Sequence, residues 1–211
     1  MSIITKITKQ RRRNERYNIY IDYEYAFSLD AELLIEHKLK EGKEIDEDEI
    51  SQIVYRDNVR KAYDRSLHYL QYRMRSQEEI ENYLDGKGFD PNVIEDVIEK
   101  LKEYDFIDDI AFAQAMTNDI LSTRQVGRRF IIHKLREKGI SDDIIDSITS
   151  KLHEQDEFAM AYNLARDQFE RLRAEPTIKD EQRIARLMAR RGFEWHMINR
   201  AIRDAIKQLE N

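Results

Sequence analysis

The sequence contains no cysteine among its 211 residues, and glycine and proline are scarce, with six and two copies. Without thiols there are no disulfides, thiolate nucleophiles or cysteine-ligated metal sites, and nothing suggests an oxidising compartment. No stretch approaches the roughly 18 uninterrupted apolar residues of a membrane-spanning helix. Scarce glycine and proline disfavour loop-rich and all-β architectures. We therefore expect a cytoplasmic, mainly helical protein with no membrane partner.

Motifs of catalysis and cofactor binding are also missing. The sequence has no GxGxxG, GxxxxGK[ST] or GxSxG motif, and its five histidines show no HExxH or comparable ligand spacing. The acidic pairs Asp108–Asp109 and Asp142–Asp143 stand where helices should begin, so capping explains them better than acid–base chemistry. The sequence predicts no enzyme activity, no cofactor, no metal site and no small-molecule substrate.

Strand-like alternation occurs only near the N-terminus. Apolar residues alternate over 3–7 and again over 17–21, on either side of the polar run 10–15. This pattern predicts a β-hairpin with a basic tip. A further strand is expected over 25–29, although Tyr23 stands where a two-residue turn prefers glycine.

Helical periodicity replaces this alternation from Asp30 onward. One short helix is expected to end at Gly42. An acid-rich first turn predicts that a longer helix begins near Asp46 and runs towards Met74.

The rest of the chain repeats one unit three times, at a spacing of roughly 50 residues. Each copy is anchored on a glycine with an apolar helical face before it and another after it. The anchors are Gly88, Gly139 and Gly192; eight residues earlier stand Ile80, Ile131 and Ile184, and four residues earlier Leu84, Leu135 and Met188. N-cap residue types stand twelve residues before each anchor, at Ser76, Gly127 and Asp180, and two after it, at Asp90, Ser141 and Glu194. Each glycine should therefore end one helix just before another begins.

The predicted fold is mainly α, with three tandem helix-turn-helix-like repeats of three helices each, behind a small N-terminal β-hairpin or sheet. Such repeats stack because each buries little alone, so an elongated, curved molecule is expected. The predicted divisions are 1–45 for the hairpin and short helix, 46–107 for the first repeat with its leading helix, 108–155 for the second and 156–211 for the third.

Basic residues recur before the glycine anchors and at the hairpin tip. The candidates for contact with a partner are Arg11, Arg12, Arg13, Arg16, Arg73, Arg75, Arg124, Arg128, Arg129, Lys134, Arg136, Lys138, Arg183, Arg186, Arg190 and Arg191. Recurrence at equivalent positions favours a contact surface over a merely solvated helix face. Phosphates of nucleic acid or an acidic protein groove would both suit it. The net charge of −6 argues against a protein that simply coats nucleic acid.

Aromatic residues are a second kind of side chain that could bind nucleic acid, because they can stack on exposed bases. Their helical spacing favours core packing instead. The residues concerned are Tyr63, Tyr69, Tyr72, Phe112, Phe130, Phe158, Phe169 and Trp195.

The helix pairs around each glycine also suggest helix-turn-helix DNA readers, in which the second helix enters the major groove. Acids such as Glu95, Asp96 and Asp146 on the first two second helices would be repelled by phosphates. Only the third copy, with Arg200 and Arg203, permits this reading. A sequence-specific repressor is therefore the weaker alternative.

Residues 69–80 contain a Tyr-Leu pair, two spaced arginines and Ser-x-x-Glu, and residues 107–113 read Ile-Asp-Asp-Ile-Ala-Phe-Ala. These two segments resemble signatures of the RecX family. Residues 138–140 and 190–193 extend the likeness, which runs from about Val59 to the end. The N-terminal hairpin is similar to the extended form found in some Gram-positive members.

This resemblance implies a monomeric, cytoplasmic regulator of homologous recombination and the SOS response. Such a regulator would bind in the helical groove of the RecA filament on DNA and inhibit its ATPase, strand exchange or growth. Weak, salt-dependent contact with single- and double-stranded DNA is expected to accompany this binding. The alternative is a nonspecific DNA-binding protein or repressor that does not act on RecA.

Overall fold

The computed structural model describes residues 2–11, 15–172 and 175–209. The strands are β1 (Ser2–Lys9), β2 (Arg16–Ile21), β3 (Glu24–Asp30) and β4 (Glu44–Ile45). The helices are α1 (Ala31–Glu36), α2 (Glu47–Leu70), α3 (Gln77–Asp85), α4 (Pro91–Glu103), α5 (Asp109–Thr123), α6 (Arg128–Arg136), α7 (Asp142–Thr149), α8 (Glu154–Glu170), α9 (Ile178–Arg190) and α10 (Trp195–Leu209). The predicted class, mainly α with a small N-terminal sheet, is confirmed.

Two compact units make up the chain. The first comprises Met1–Arg73 and Ile80–Phe106, and the second Met74–Glu79 and Ile107–Asn211. Below, the first repeat denotes α2–α4, the second α5–α7 and the third α8–α10.

The sheet has the antiparallel order β3-β2-β1-β4. Alternation along the strands sends Ile4, Ile19 and Leu29 to one face, where they are fully buried together with Ile53 of α2. The hairpin of β1 and β2 and the third strand were predicted, but the two-residue β4 was not. Its pairing with β1 depends on a partner some 40 residues away, which local alternation cannot reveal.

Two local features near the N-terminus differ from the sequence prediction. The β2–β3 turn forms although it lacks glycine, with positive φ of 49° at Asp22 and 69° at Tyr23. Helix α1 ends at Glu36 and not at Gly42, because Lys38 takes a positive φ of 49°. Gly42 serves a later turn, where its amide donates to the carbonyl of Ile4.

The glycine anchors end α3, α6 and α9 in the same way. Gly88, Gly139 and Gly192 have φ of 79°, 70° and 82°. The following residue then donates its amide to a carbonyl five residues back, from Phe89 to Leu84, from Ile140 to Leu135 and from Phe193 to Met188. This bond is the C-terminal Schellman motif, and glycine is favoured in it because side chains rarely adopt that φ.

Helix starts also follow the repeat, with one exception. Asp90 and Ser141 are the N-caps of α4 and α7, and Gly127 is the N-cap of α6. Helix α9 begins three residues earlier than expected, with Thr177 as its N-cap. Asp180 is the third helical residue and completes a capping box with Thr177.

Within the second unit, two helices are capped by residues outside their own repeat. The amide of Gln77, at the start of α3, donates to Asp109 Oδ1 at 2.9 Å. The amide of Arg128, at the start of α6, donates to Glu157 Oε1 at 2.8 Å. Both carboxylates come from the first turn of the next repeat's leading helix. Neighbouring repeats are therefore joined through helix N-termini, at equivalent places.

Close backbone contact accompanies the second of these junctions. Gly127 donates its amide to the carbonyl of Arg191 at 2.9 Å, and the carbonyl of Gly192 accepts from Arg129. A Cβ on Gly127 would lie 2.3 Å from the Gly192 oxygen, closer than any real contact. Only glycine allows α6 to approach the turn after α9 this closely.

Candidate functional site

Several of the predicted basic residues are held in ion pairs. The pairs are Arg129 with Glu194 at 3.5 Å, Lys134 with Glu137 at 2.5 Å, Arg136 with Asp142 at 2.8 Å, Lys138 with Glu79 at 2.7 Å and Arg183 with Asp180 at 3.3 Å. The hydrogen bond from Lys134 lowers the pKa of Glu137 below its ordinary value. A partner that binds these cations has to displace an acid first, which weakens their contribution.

Arg128 and Arg16 make contacts that hold parts of the fold together. Arg128 donates from Nη2 to the carbonyl of Leu152 at 2.7 Å and lies beside Glu157. Arg16 is 9% exposed and donates from both terminal nitrogens to the carboxylate of Asp57, at 3.0 and 2.9 Å. Arg16 joins the sheet to α2 and is inaccessible, so we remove it from the candidate surface.

The remaining candidates near the N-terminus divide by position. Arg11 is exposed at the end of β1, whereas Arg12 and Arg13 lie outside the described residues. Arg73 is exposed and Arg75 half-buried in the segment between α2 and α3.

The second unit also holds cations without acidic partners. Among the described residues, no acid lies within ion-pair distance of Arg124, Arg186, Arg190, Arg191 or Arg203. Arg203 was not among the predicted candidates, because it lies after the glycine anchor and the basic recurrence was sought before it. A partner can therefore engage these five arginines without first displacing an acid.

Arg124 and Arg191 face one cleft between the second and third repeats. This arginine cleft has a volume of about 580 Å³ and is lined by Leu121, Ser122, Thr123, Arg124, Gln125, Val126, Phe130, Met160 and Arg191. Arg191 is held in place by a 3.3 Å hydrogen bond from Nη1 to the carbonyl of Gln125. The hydroxyls of Ser122 and Thr123 donate to the carbonyl of Asp119, so the two guanidinium groups are what suits the cleft to carboxylates or phosphates.

A second groove lies between α9 and α10. This tryptophan groove has a volume of about 710 Å³ and is lined by Glu181, Gln182, Ala185, Arg186, Trp195, Asn199, Ile202, Arg203, Ile206 and Lys207. Trp195 is 57% exposed, so the prediction that it packs in a core is wrong. Tyr72 is exposed as well, whereas Phe112 and Phe169 are buried as expected.

Four family models match successive parts of the chain. They are the regulatory protein RecX N-terminal domain at residues 2–46 and the first, second and third RecX three-helix domains at 62–101, 108–147 and 154–202. The regulatory protein RecX of Bacillus subtilis is 37% identical over 202 residues, which cover 96% of this chain and 76% of that protein. The chain belongs to the RecX family.

Other RecX proteins and solved structures agree with this assignment. The regulatory protein RecX of Bacillus pumilus is 36% identical and covers 97% of this chain and 78% of its own length. That of Clostridioides difficile is 33% identical and covers 96% and 95%. A crystal structure of regulatory protein RecX aligns with a TM-score of 0.74 and 33% identity, over 97% of this chain and 100% of the other. The RecX structure from Lactobacillus salivarius, 24% identical over 71% and 97% of the two chains with a TM-score of 0.65, supports the fold alone.

Membership of the RecX family places the protein among regulatory proteins, with the three three-helix domains that the repeats predicted. Over the described ranges, no helix combines the length and apolarity needed to cross a membrane. The same ranges contain no group of three or more histidine, aspartate or glutamate side chains placed to hold a metal ion.

Proposed function

We propose that this RecX-family protein regulates RecA in homologous recombination and the SOS response. In this proposal it acts in the cytoplasm as a monomer, binds in the groove of the RecA–DNA filament, and inhibits the ATPase, strand exchange or filament growth. Similarity over almost the whole chain to proteins named regulatory protein RecX carries the proposal. The four successive RecX domain matches support it.

The arginine cleft is the proposed main contact in the second unit. Arg124 and Arg191 have no acidic partner among the described residues, so binding requires no ion pair to break first. Guanidinium groups form paired hydrogen bonds with carboxylates and phosphates alike. The cleft can therefore engage acidic side chains of RecA or the DNA backbone within the filament.

The proposal is tested by the ATPase rate of preformed RecA filaments on single-stranded DNA, titrated with this protein. The rate should fall at near-stoichiometric or lower protein. The double variant Arg124→Glu/Arg191→Glu should need roughly ten times more protein for half-inhibition, because two attractive contacts become repulsive. The matched control Arg136→Asp/Asp142→Arg exchanges the ends of an exposed ion pair at constant net charge and should stay within about 2-fold.

Circular dichroism melting establishes that each variant is folded, since Arg191 also donates to a backbone carbonyl. A wild-type protein that leaves the ATPase unchanged would contradict the proposed function. Equal inhibition by the wild type and the Arg124/Arg191 double variant would contradict only the assignment of the cleft.

The alternative function is helix-turn-helix-like DNA binding, nonspecific or as a repressor, without action on RecA. Exposed Trp195 and unpaired Arg203 on α10 favour DNA contact in the third repeat. Asp142, in the first turn of α7, is exposed and would be repelled in a major groove. Tight binding to bare duplex DNA with an unchanged RecA ATPase would favour this alternative.

A further inference from the structure

Trp195 is the first residue of α10, and its residue type differs from those at the equivalent positions of the first two repeats. In those repeats the residue type is explained by its place at the start of a helix. The equivalent residues are Pro91 and Asp142, both well suited to the first turn of a helix. Tryptophan has no such advantage there, and burial does not account for it, because 57% of the side chain is exposed. The exposed indole therefore offers this groove a flat face on which a ligand can stack.

Charge on the same face of α10 is also reversed relative to the first repeat. Trp195 is followed at four-residue intervals by Asn199, Arg203 and Lys207, all of which line the tryptophan groove. Four-residue spacing places them on one helical face. The equivalent positions of α4 are Glu95, Glu99 and Glu103. A face that is acidic in the first repeat is thus cationic in the third.

The groove combines flat, polar and positive elements. Arg186 of α9 and Arg203 of α10 have no acidic partner among the described residues, and Lys207 adds a third positive charge. Amide side chains of Gln182 and Asn199 lie in the same lining, and Glu181 is an acid within it. An aromatic face, amides and cations in one groove match a base, its polar edge and its phosphates.

We infer that the tryptophan groove binds single-stranded DNA, with one base stacked on Trp195 and neighbouring phosphates on Arg186 and Arg203. The inference deepens the proposed function, on which the choice of DNA over RNA rests. A single strand fits better than a duplex because its bases are unstacked and can reach an indole. An acidic peptide would satisfy the cations and the amides but would bring no base to stack on the indole.

Direct binding to DNA can be observed without RecA, because Trp195 is the only tryptophan in the chain. Titration with an oligothymidylate of about 20 nucleotides should quench its fluorescence, since a stacked base contacts the indole directly. A duplex of equal length should quench less and bind more weakly. Quenching and binding should both weaken as salt rises.

Variants separate stacking from charge, with affinity measured by anisotropy of a labelled oligothymidylate. Trp195→Ala should reduce affinity at least about 5-fold, as expected for the loss of one base stack. Arg186→Gln and Arg203→Gln should each lower the slope of log affinity against log salt by about 0.7. The matched control Arg200→Gln removes a cation of the same helix that is paired with Asp204 and lies over Phe158, and should stay within about 2-fold.

Unchanged affinity in folded Trp195→Ala protein would overturn the inference, as would saturating oligothymidylate that leaves Trp195 fluorescence unaltered. A polyglutamate peptide of the same charge that competes equally well for the protein would also overturn it, because the groove would then recognise negative charge and not a base. The RecA ATPase assay separates the two proposals. DNA binding that depends on Trp195, with an unchanged ATPase, would support the groove and refute the RecA function. Inhibition of the ATPase without DNA binding at Trp195 would support the RecA function and refute the groove.

Discussion

Arg16 lies at the start of β2, and both of its terminal nitrogens face the carboxylate of Asp57 in α2. Arg56, on the same helix as Asp57, makes an ion pair of similar length with Glu36, but more than half of each side chain in that pair is exposed. Desolvation makes the two pairs energetically different, because a charge left alone in a buried place is strongly disfavoured whereas an exposed one is solvated.

We therefore expect Arg16→Ala to destabilise the first unit by about 3 kcal/mol, because Asp57 would lose its main partner while remaining buried. Lys61, whose Nζ lies 2.5 Å from Asp57 Oδ2, keeps the effect from being larger. Arg56→Ala is the matched control and should change stability by about 0.5 kcal/mol or less. Urea unfolding followed by circular dichroism measures both, and equal midpoints would show that burial of the Arg16 pair does not matter.

At this scale the sequence identified charged residues but not their partners. The predicted candidates include Arg124, Arg186, Arg190 and Arg191, which have no acidic partner among the described residues. They also include Arg16, whose partner Asp57 is distant in the sequence. The repeat could not show which arginines are paired, because pairing depends on acids brought in by other helices. Trp195 was judged from helical spacing, which cannot distinguish a core face from a groove.

Among the elements, the three glycine turns share one backbone conformation but differ in surroundings. Gly88 has φ of 79° and open space where a Cβ would stand. Gly192 has φ of 82°, and a Cβ there would lie 2.2 Å from the backbone nitrogen of Phe130. The two positions separate the energy of the left-handed conformation from that of close packing between repeats.

Gly88→Ala should destabilise by about 1 kcal/mol, the usual penalty of a left-handed alanine. Gly192→Ala should add a packing penalty of roughly 1–3 kcal/mol, because the obstructing atoms belong to the backbone of α6 and cannot rotate away. Hydrogen exchange of amides in α3 and α6 reports each site locally. If both variants lose protection to the same extent, the contact between Gly192 and α6 contributes nothing to stability.

Element existence was largely predictable, and several element ends were not. Strands over 3–7, 17–21 and 25–29, the start of α2 near Asp46 and the helix pair around each glycine follow from periodicity and capping residues. The end of α1 at Glu36, the strand β4 and the start of α9 at Thr177 depend on a positive φ at Lys38, a remote strand partner and a capping box. Caps supplied by Asp109 and Glu157 are likewise long-range contacts.

For the whole molecule, the net charge of −6 conceals unpaired arginines in the second unit. Overall repulsion from DNA is weak at physiological salt because charges more than about 8 Å apart are screened, whereas direct contacts are not. Local cations can therefore decide which partner binds even though the protein is acidic as a whole.

Affinity for a RecA filament on single-stranded DNA should fall on the order of 10-fold between 50 and 200 mM salt, because several arginine contacts release counterions. Anisotropy of the labelled protein measures this, with a nonhydrolysable nucleotide keeping the filament intact. The Arg124→Glu/Arg191→Glu variant serves as the comparison and should show a shallower dependence. Affinity indifferent to salt would rule out an electrostatic contact, while leaving the fold assignment intact.

The two carboxylate caps at the starts of α3 and α6 give the array of repeats a direction. The first and second repeats each leave a helix start to be completed by a carboxylate of the following repeat, at Asp109 and Glu157. Helix α9 of the third repeat instead has a capping box of its own, formed by Thr177 and Asp180. A copy of the second repeat could thus be inserted before the third with both connections satisfied. The two junctions therefore allow this architecture to be lengthened internally, one repeat at a time.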